Sequence, residues 1–166
     1  IKVGVFGLDT SETLTKASPS NVKAVNFLDK EEMFKEAQAQ VDKLKSAGCD
    51  YIIALTHLGV DEESVGRRST DLAAAVKGID LIVDGHSHTV IDGGEKVGDT
   101  VIVSTGSYLA NVGTVVIDKE AKTEEAKLIS AADYAADDGG AASGQPGSGE
   151  PRVHFFGTVD RMGVSA

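Results

Sequence analysis

Apolar residues in the first 118 positions fall into short runs separated by amphipathic stretches, an alternation that predicts strands and helices in turn. Ile1 to Leu8, IKVGVFGL, is β-branched and apolar with Gly4 and Gly7 inside it, which predicts a buried strand ending in a glycine-bearing turn. Asp9 to Lys30 is rich in Thr, Ser, Asn and Pro and reads as a long loop with a short strand near Val22 to Phe27. Phe34, Ala37, Val41 and Leu44 then mark one face of a helix, opened by Asp29 and Glu32 at capping-box spacing and closed by Gly48. Tyr51 to Leu55 is a short apolar run suited to the centre of a covered sheet, with His57 just beyond it. Ser69 or Thr70 starts a second helix through LAAAVK to Gly78, and Ile79 to Val83 is another buried strand that runs into DGHSHT.

Strand, helix, strand, helix, strand is the grammar of an α/β fold, a layered β-sheet with flanking helices. A Gly-rich hairpin over Asp92 to Asp99 and two strands, Thr100 to Ser104 and Val112 to Ile117, extend it toward antiparallel pairing. After Ala131 the composition shifts to small residues, glycine and proline. The expected division is a domain over 1–138, a Gly/Ser/Pro-rich linker over 139–151, and a tail over 152–166. That tail is too short for a domain of its own; it is either a strand docked on the preceding sheet or a segment foreign to the domain.

Composition narrows the partners. Sixteen Lys+Arg against 26 Asp+Glu give a formal charge of −10, which repels a polyanionic backbone and excludes nucleic-acid polymers as natural partners. A small phosphorylated substrate stays compatible where a metal supplies local positive charge. The one cysteine, Cys49, forms no internal disulfide and reads as a core residue. No run reaches the roughly 18 apolar residues of a transmembrane helix. The chain opens on a strand pattern without an initiator methionine, so a fragment of a longer protein is expected.

Three of the four histidines, His57, His86 and His88, follow strand C-termini. In open α/β sheets ligand crevices form at that edge, so one βαβ unit carries His57 and the His86/His88 pair to one rim. Imidazole is a common ligand of zinc and related ions, and H-x-H can present two nitrogens from one extended segment. Such a pair alone is more often a feature of a surface loop; His57 at the neighbouring strand end tips the balance toward a ligand set. Gly85 gives the backbone room to turn. Asp84 has two readings, a carboxylate that orients a ligating imidazole or a cap on the turn. Asp61, Glu62 and Glu63 read as a solvated helix start, and Ser87 as a small turn residue. H-x-H-x-D-H fails because Val90 stands two positions after His88, and no H-E-x-x-H, C-x-x-C, G-x-S-x-G or Walker loop occurs.

IKVGVFGLDTSET, ALTHLG, RSTDLA and GIDLIVDGHSHT, in that order, resemble the calcineurin-like metallophosphatases of the 5'-nucleotidase and UDP-sugar hydrolase group, from Ile1 to about Asp118. The resemblance implies an αββα sandwich with two divalent ions, zinc, manganese or similar, at the sheet edge, hydrolysing nucleotide phosphate esters through metal-activated water. It implies that His57 and His86 ligate one ion and His88 the second, with Gly85 the glycine of G-H-x-[HQ]. His154 matches nothing in that family.

The first half of the family pattern, D-x-H, a G-D bridging aspartate and G-N-H-[ED], does not occur here, so no catalytic residue is assigned. Two dications without a bridging carboxylate repel, so at most one ion is expected to bind well. The expected partner is the missing N-terminal half of the catalytic domain, with a nucleotide as substrate of the complete enzyme. The alternative is a non-catalytic α/β metal-binding or interaction module derived from the same fold. An uncovered sheet face would favour self-association, or docking of the RVHFF tail as a substitute strand. The resemblance places relatives in the periplasm, on the cell wall or outside the cell.

Overall fold

A computed structural model describes residues 1–118, 123–136 and 153–157. The first sheet is built from β1 (Val3–Asp9), β2 (Tyr51–His57), β3 (Leu81–Val83), β5 (Thr100–Thr105) and β4 (Val90–Val97), in that spatial order. Its first four strands run parallel and β4 returns antiparallel to β5. A second, antiparallel sheet places β6 (Asn111–Asp118) between β7 (Thr123–Ser130) and β8 (Val153–Gly157). The helices are α1 (Thr13–Lys16), α2 (Pro19–Val22), α3 (Lys30–Ser46), α4 (Ser69–Ala75) and α5 (Ala131–Ala136). The proposed linker over 139–151 lies outside the described residues, as does the tail apart from β8.

Strand alternation splits the core in two. Ile52, Ala54, Ile82 and Ile102 face one side and bury against Met33, Ala37 and Val41 of α3 and Leu72 and Ala73 of α4. Tyr51, Ile53, Leu81 and Val103 face the other and meet Val115 and Ile117 of β6. The result is three layers, helices on sheet on sheet, matching the α/β layering expected from the sequence. Burying each large aliphatic side chain stabilises by about 1.5–3 kcal/mol, so the continuous apolar runs of β2 and β3 hold both outer layers.

The second sheet does not extend over all of the first. Val5 of β1 is 47% exposed and Leu55 of β2 is 50% exposed, both on the face turned away from the helices. In register, Gly7 pairs with Leu55 and Asp9 with His57, so this open strip runs directly to the C-terminal rim.

Helix α3 follows the predicted apolar stripe and ends in a Schellman motif: Gly48, at φ +81°, donates to Lys45, and Cys49 donates to Leu44. Its N-terminus departs from expectation. Asp29 occupies the N-cap but makes no capping hydrogen bond with its side chain, because its carboxylate is drawn to Ser11 Oγ (2.7 Å) and Arg67 Nε (3.1 Å). The loop predicted over Asp9 to Lys30 contains α1 and α2, and the strand expected near Val22 to Phe27 is absent; Pro19 at the start of α2 suits a helical first turn. Helix α4 stops at Ala75 rather than Gly78, because Val76 turns extended and buries its side chain in the core. Gly93 and Gly94, at φ +77° and +79°, form a bulge inside β4, and the hairpin turn falls at Gly98 and Asp99. Strand β7 had no sequence expectation: TEEAKLIS is too polar to show strand periodicity, and pairing with β6 imposes the conformation.

Asp71 anchors the entry to α4. One oxygen accepts from Gly66 N (2.8 Å), Arg68 N (3.1 Å) and Arg68 Nε (3.0 Å), and the other from Arg68 Nη2 (3.0 Å). The Arg68 side chain holds the Asp71 carboxyl below its ordinary value of 3.8. A depressed carboxylate contributes stability that is present above its unfolded value and lost as pH falls below it. Asp71→Asn is expected to destabilise by about 1–2 kcal/mol at pH 7 and by progressively less below pH 3.8. Denaturant titrations at several pH values check this, and an equal deficit at pH 7 and pH 3 would contradict it.

Candidate metal centre

The parallel strands β1, β2 and β3 end at one edge, which sets the positions of the residues predicted from sequence. His57 closes β2 opposite Asp9 of β1, rather than standing beyond the strand. After β3 the chain passes Asp84 and Gly85, both buried, and reaches His86. The His57 and His86 rings meet edge to face, with centroids 4.9 Å apart and planes at 69°. His88 is exposed, and its ring packs edge to face on Tyr108 at 6.0 Å. His154 lies in β8 of the other sheet, opposite Val116.

Asp84 joins the two histidine-bearing turns. It is 1% exposed, and Oδ1 accepts from Thr56 Oγ1 (2.6 Å), Leu58 N (3.1 Å) and Gly59 N (3.3 Å). Its own backbone N donates to Val103 O (2.9 Å), tying the junction to β5. A buried carboxylate is tolerable only with several donors aimed at it, and here they come from the residues flanking His57. Ser87 adds a second tie, accepting from Val60 N at 3.3 Å. Gly59 is required at the crossing: at φ +75°, a Cβ there would stand 3.1 Å from Ser87 Cβ and 3.2 Å from His86 Cδ2.

The backbone of both motif histidines is left-handed, with φ of 81° at His86 and 57° at His88. Residues other than glycine adopt that region at a cost of about 1–3 kcal/mol, and such strain clusters where side-chain direction matters more than local stability. Strict alternation would place the two imidazoles on one side; the left-handed turns separate them, one toward His57 and one toward Tyr108.

Burial of the ring lowers the His57 pKa from its ordinary 6.5, and the neighbouring His86 lowers it further. His57 is therefore neutral at pH 7, the state in which imidazole ligates a metal. Glu12, which lies in the IKVGVFGLDTSET segment but received no role from the sequence, completes the cluster from the turn after β1. Glu12 Oε2 lies 3.0 Å from His86 Nε2 and accepts from Lys16 Nζ (3.2 Å); Oε1 accepts from Ser64 Oγ (2.7 Å) and Arg67 Nη1 (3.4 Å). The Ser64 hydroxyl, with His86, Lys16 and Arg67, brings the Glu12 carboxyl down to about 2 against the opposing effect of burial. The sequence signals for Glu12 are its place in the IKVGVFGLDTSET segment and its position three residues past the end of β1.

The geometry supplies two neighbouring imidazoles at the C-terminal edge of the parallel strands. Among the described residues no three His, Cys, Asp or Glu side chains converge as a ligand set. Two imidazoles fall short of the four ligands of a closed zinc site. No helix of the described residues is long and apolar enough to cross a membrane.

No family profile matches the chain. Over 118 residues, 69% of this chain, it is 39% identical to the trifunctional nucleotide phosphoesterase YfkN of Bacillus subtilis, and it spans 7% of that protein. It is 34% identical to a 5'-nucleotidase of Diplobatis ommata over 66% of this chain and 17% of the relative. A probable 5'-nucleotidase of Treponema pallidum is 32% identical, covering 64% and 16% respectively. Among solved structures, the Thermus thermophilus sulfate thiohydrolase SoxB superposes with a TM-score of 0.65 at 23% identity, over 77% of this chain and 22% of that one. The calcineurin-like phosphoesterase YfkN of Bacillus subtilis superposes with a TM-score of 0.59 at 22% identity, over 77% and 44%. At those identities the superpositions speak to the fold.

Removing the Asp84 carboxylate strands buried donors, a loss on the order of 2–4 kcal/mol. Asp84→Ala is expected to lower stability by that amount and to broaden the amide resonances of Leu58 and Gly59, with Asp84→Asn milder because one acceptor oxygen remains. A stability unchanged in Asp84→Ala would show that the carboxylate does not join the two turns.

Proposed function

Because this chain belongs to the calcineurin-like phosphoesterases of the 5'-nucleotidase type, we propose that it forms one side of a divalent-metal centre hydrolysing phosphate esters of nucleotides. The observation that carries this reading is the His57 and His86 ring pair, 4.9 Å apart at the ends of adjacent parallel strands. His57 and His86 hold one ion, zinc, manganese or similar, through neutral imidazole nitrogens, and His88 serves a second. Such an ion supplies an acidified water and stabilises charge on the phosphoryl oxygens.

The surrounding electrostatics favour that division of labour. The chain carries a formal charge of −10, and the cations that reach the cluster, Lys16 and Arg67, are engaged by Glu12 and Asp29. Positive charge for an incoming phosphate therefore comes from bound metal rather than from free lysine or arginine. The chain's part is to fix two ligands on rigid strand ends and to hold them neutral.

The remaining donors come from another part of the phosphoesterase. The exposed strip of Val5 and Leu55 leads along β1 and β2 to His57, and β1 is an edge strand among the described residues, so a further layer settled there would reach the histidines. This strip supports an N-terminal half of the catalytic domain as the natural partner. Without it, the chain binds at most one ion well and turns over no substrate.

Zinc or manganese titration of the metal-free chain by calorimetry tests the reading. One site is expected, weakened at least about tenfold by His57→Ala or His86→Ala and less by His88→Ala. Uptake that is absent, or indifferent to His57 and His86, would overturn it.

A further inference from the structure

We propose that Glu12 is the positioning carboxylate of this centre: it holds the proton of His86 on Nε2 and thereby presents Nδ1 as the metal-binding nitrogen. The inference rests on reading His57 and His86 as ligands and goes beyond it in assigning a role to a residue that received none from the sequence.

Three observations support it. The contact itself is direct and shielded: His86 Nε2 and Glu12 Oε2 are 3.0 Å apart, and each side chain is 13% exposed. A carboxylate ionised at neutral pH only accepts hydrogen bonds, so the imidazole nitrogen facing it carries the hydrogen and the other ring nitrogen keeps a lone pair. Ligating histidines commonly donate their second N–H to a carboxylate, which fixes the tautomer and the ring plane.

The carboxylate is itself immobilised. Ser64 Oγ and Arg67 Nη1 donate to Oε1, and Lys16 Nζ donates to the same oxygen that faces His86. Arg67 is braced in turn by Asp29, whose Oδ1 accepts from Nε (3.1 Å) and Oδ2 from Nη2 (3.4 Å). A surface ion pair would leave the glutamate free to swing; four partners on two oxygens do not.

The Glu12 turn also grips the other histidine. Thr10, fully buried, donates its backbone N to His57 O (3.1 Å), and its Oγ1 accepts from Glu12 N (3.3 Å). One turn after β1 thus registers the strand end that carries His57 and orients the ring of His86. Asp84, the acid adjacent to the motif, directs Oδ1 to the backbone and hydroxyl around His57, which leaves the imidazole of His86 to Glu12.

The test is long-range 1H–15N spectroscopy of the imidazoles in the metal-free chain near pH 7.5, paired with zinc titration, for the parent, Glu12→Gln and Glu12→Ala. The parent should show His86 protonated on Nε2 with a pyridine-like Nδ1. Glu12→Ala should mix the tautomers and weaken zinc about 10- to 100-fold. Glu12→Gln keeps the side-chain shape and guards against a folding defect; with far-UV circular dichroism unchanged, it should move the tautomer ratio and lower affinity. A His86 protonated on Nδ1 in the parent overturns the assignment of Glu12 alone, as do substitutions that leave tautomer and affinity untouched. A parent chain with the expected tautomer but no histidine-dependent zinc uptake overturns the metal-centre reading instead.

Discussion

Asp84 Oδ1, buried between β2 and β3, accepts three hydrogen bonds from residues on either side of His57, and the position of both histidine-bearing turns depends on it. Two parallel strands can end level and still leave their following turns free to diverge. Here the turn after β2 folds onto the carboxylate at the end of β3, and Gly59 is the residue that lets it come close enough. The 4.9 Å approach of the two imidazoles follows from that closure. The surrounding core, helices on one face and a second sheet on the other, makes the strand ends stiff enough for such a small contact to set the geometry.

Much of this was legible in the sequence because it is carried by period and position. The continuous apolar run of Tyr51 to Leu55, the 3.6-residue stripe of α3, and histidines at or near strand ends are all one-dimensional signals. What stayed hidden depends on tertiary contacts. Glu12 and His86 are 74 residues apart, and no local pattern marks an acid that will be aimed at an imidazole by its neighbours. Asp29 shows the converse: a sequence with the right capping spacing loses its cap because Arg67, 38 residues on, competes for the carboxylate. The polar strand β7 and the bulge at Gly93 and Gly94 were equally invisible, since pairing with β6 and β5 imposes them.

The cluster also separates charge in a way that suits metal binding. Each nearby cation is matched by an acid, Lys16 and Arg67 with Glu12, Arg67 with Asp29, and partial burial keeps His57 neutral. A dication approaching the histidines therefore meets no uncompensated positive side chain from this network. The left-handed backbone at His86 and His88 is a local instability carried by the same arrangement, stabilised by the strand ends on either side.

The register of β1 against β2, Val3 opposite Tyr51 through Asp9 opposite His57, also has a kinetic side. Parallel pairing closes a long loop before any contact compensates for it, so such strands join late and slowly. Because β1 supplies the turn bearing Glu12, the two histidine-bearing turns can assemble from residues 51–88 before His86 acquires its carboxylate partner. The ring would thus be fixed only in chains whose most distant strand has found its place, making the imidazole tautomer a reporter of completed folding rather than of local structure alone.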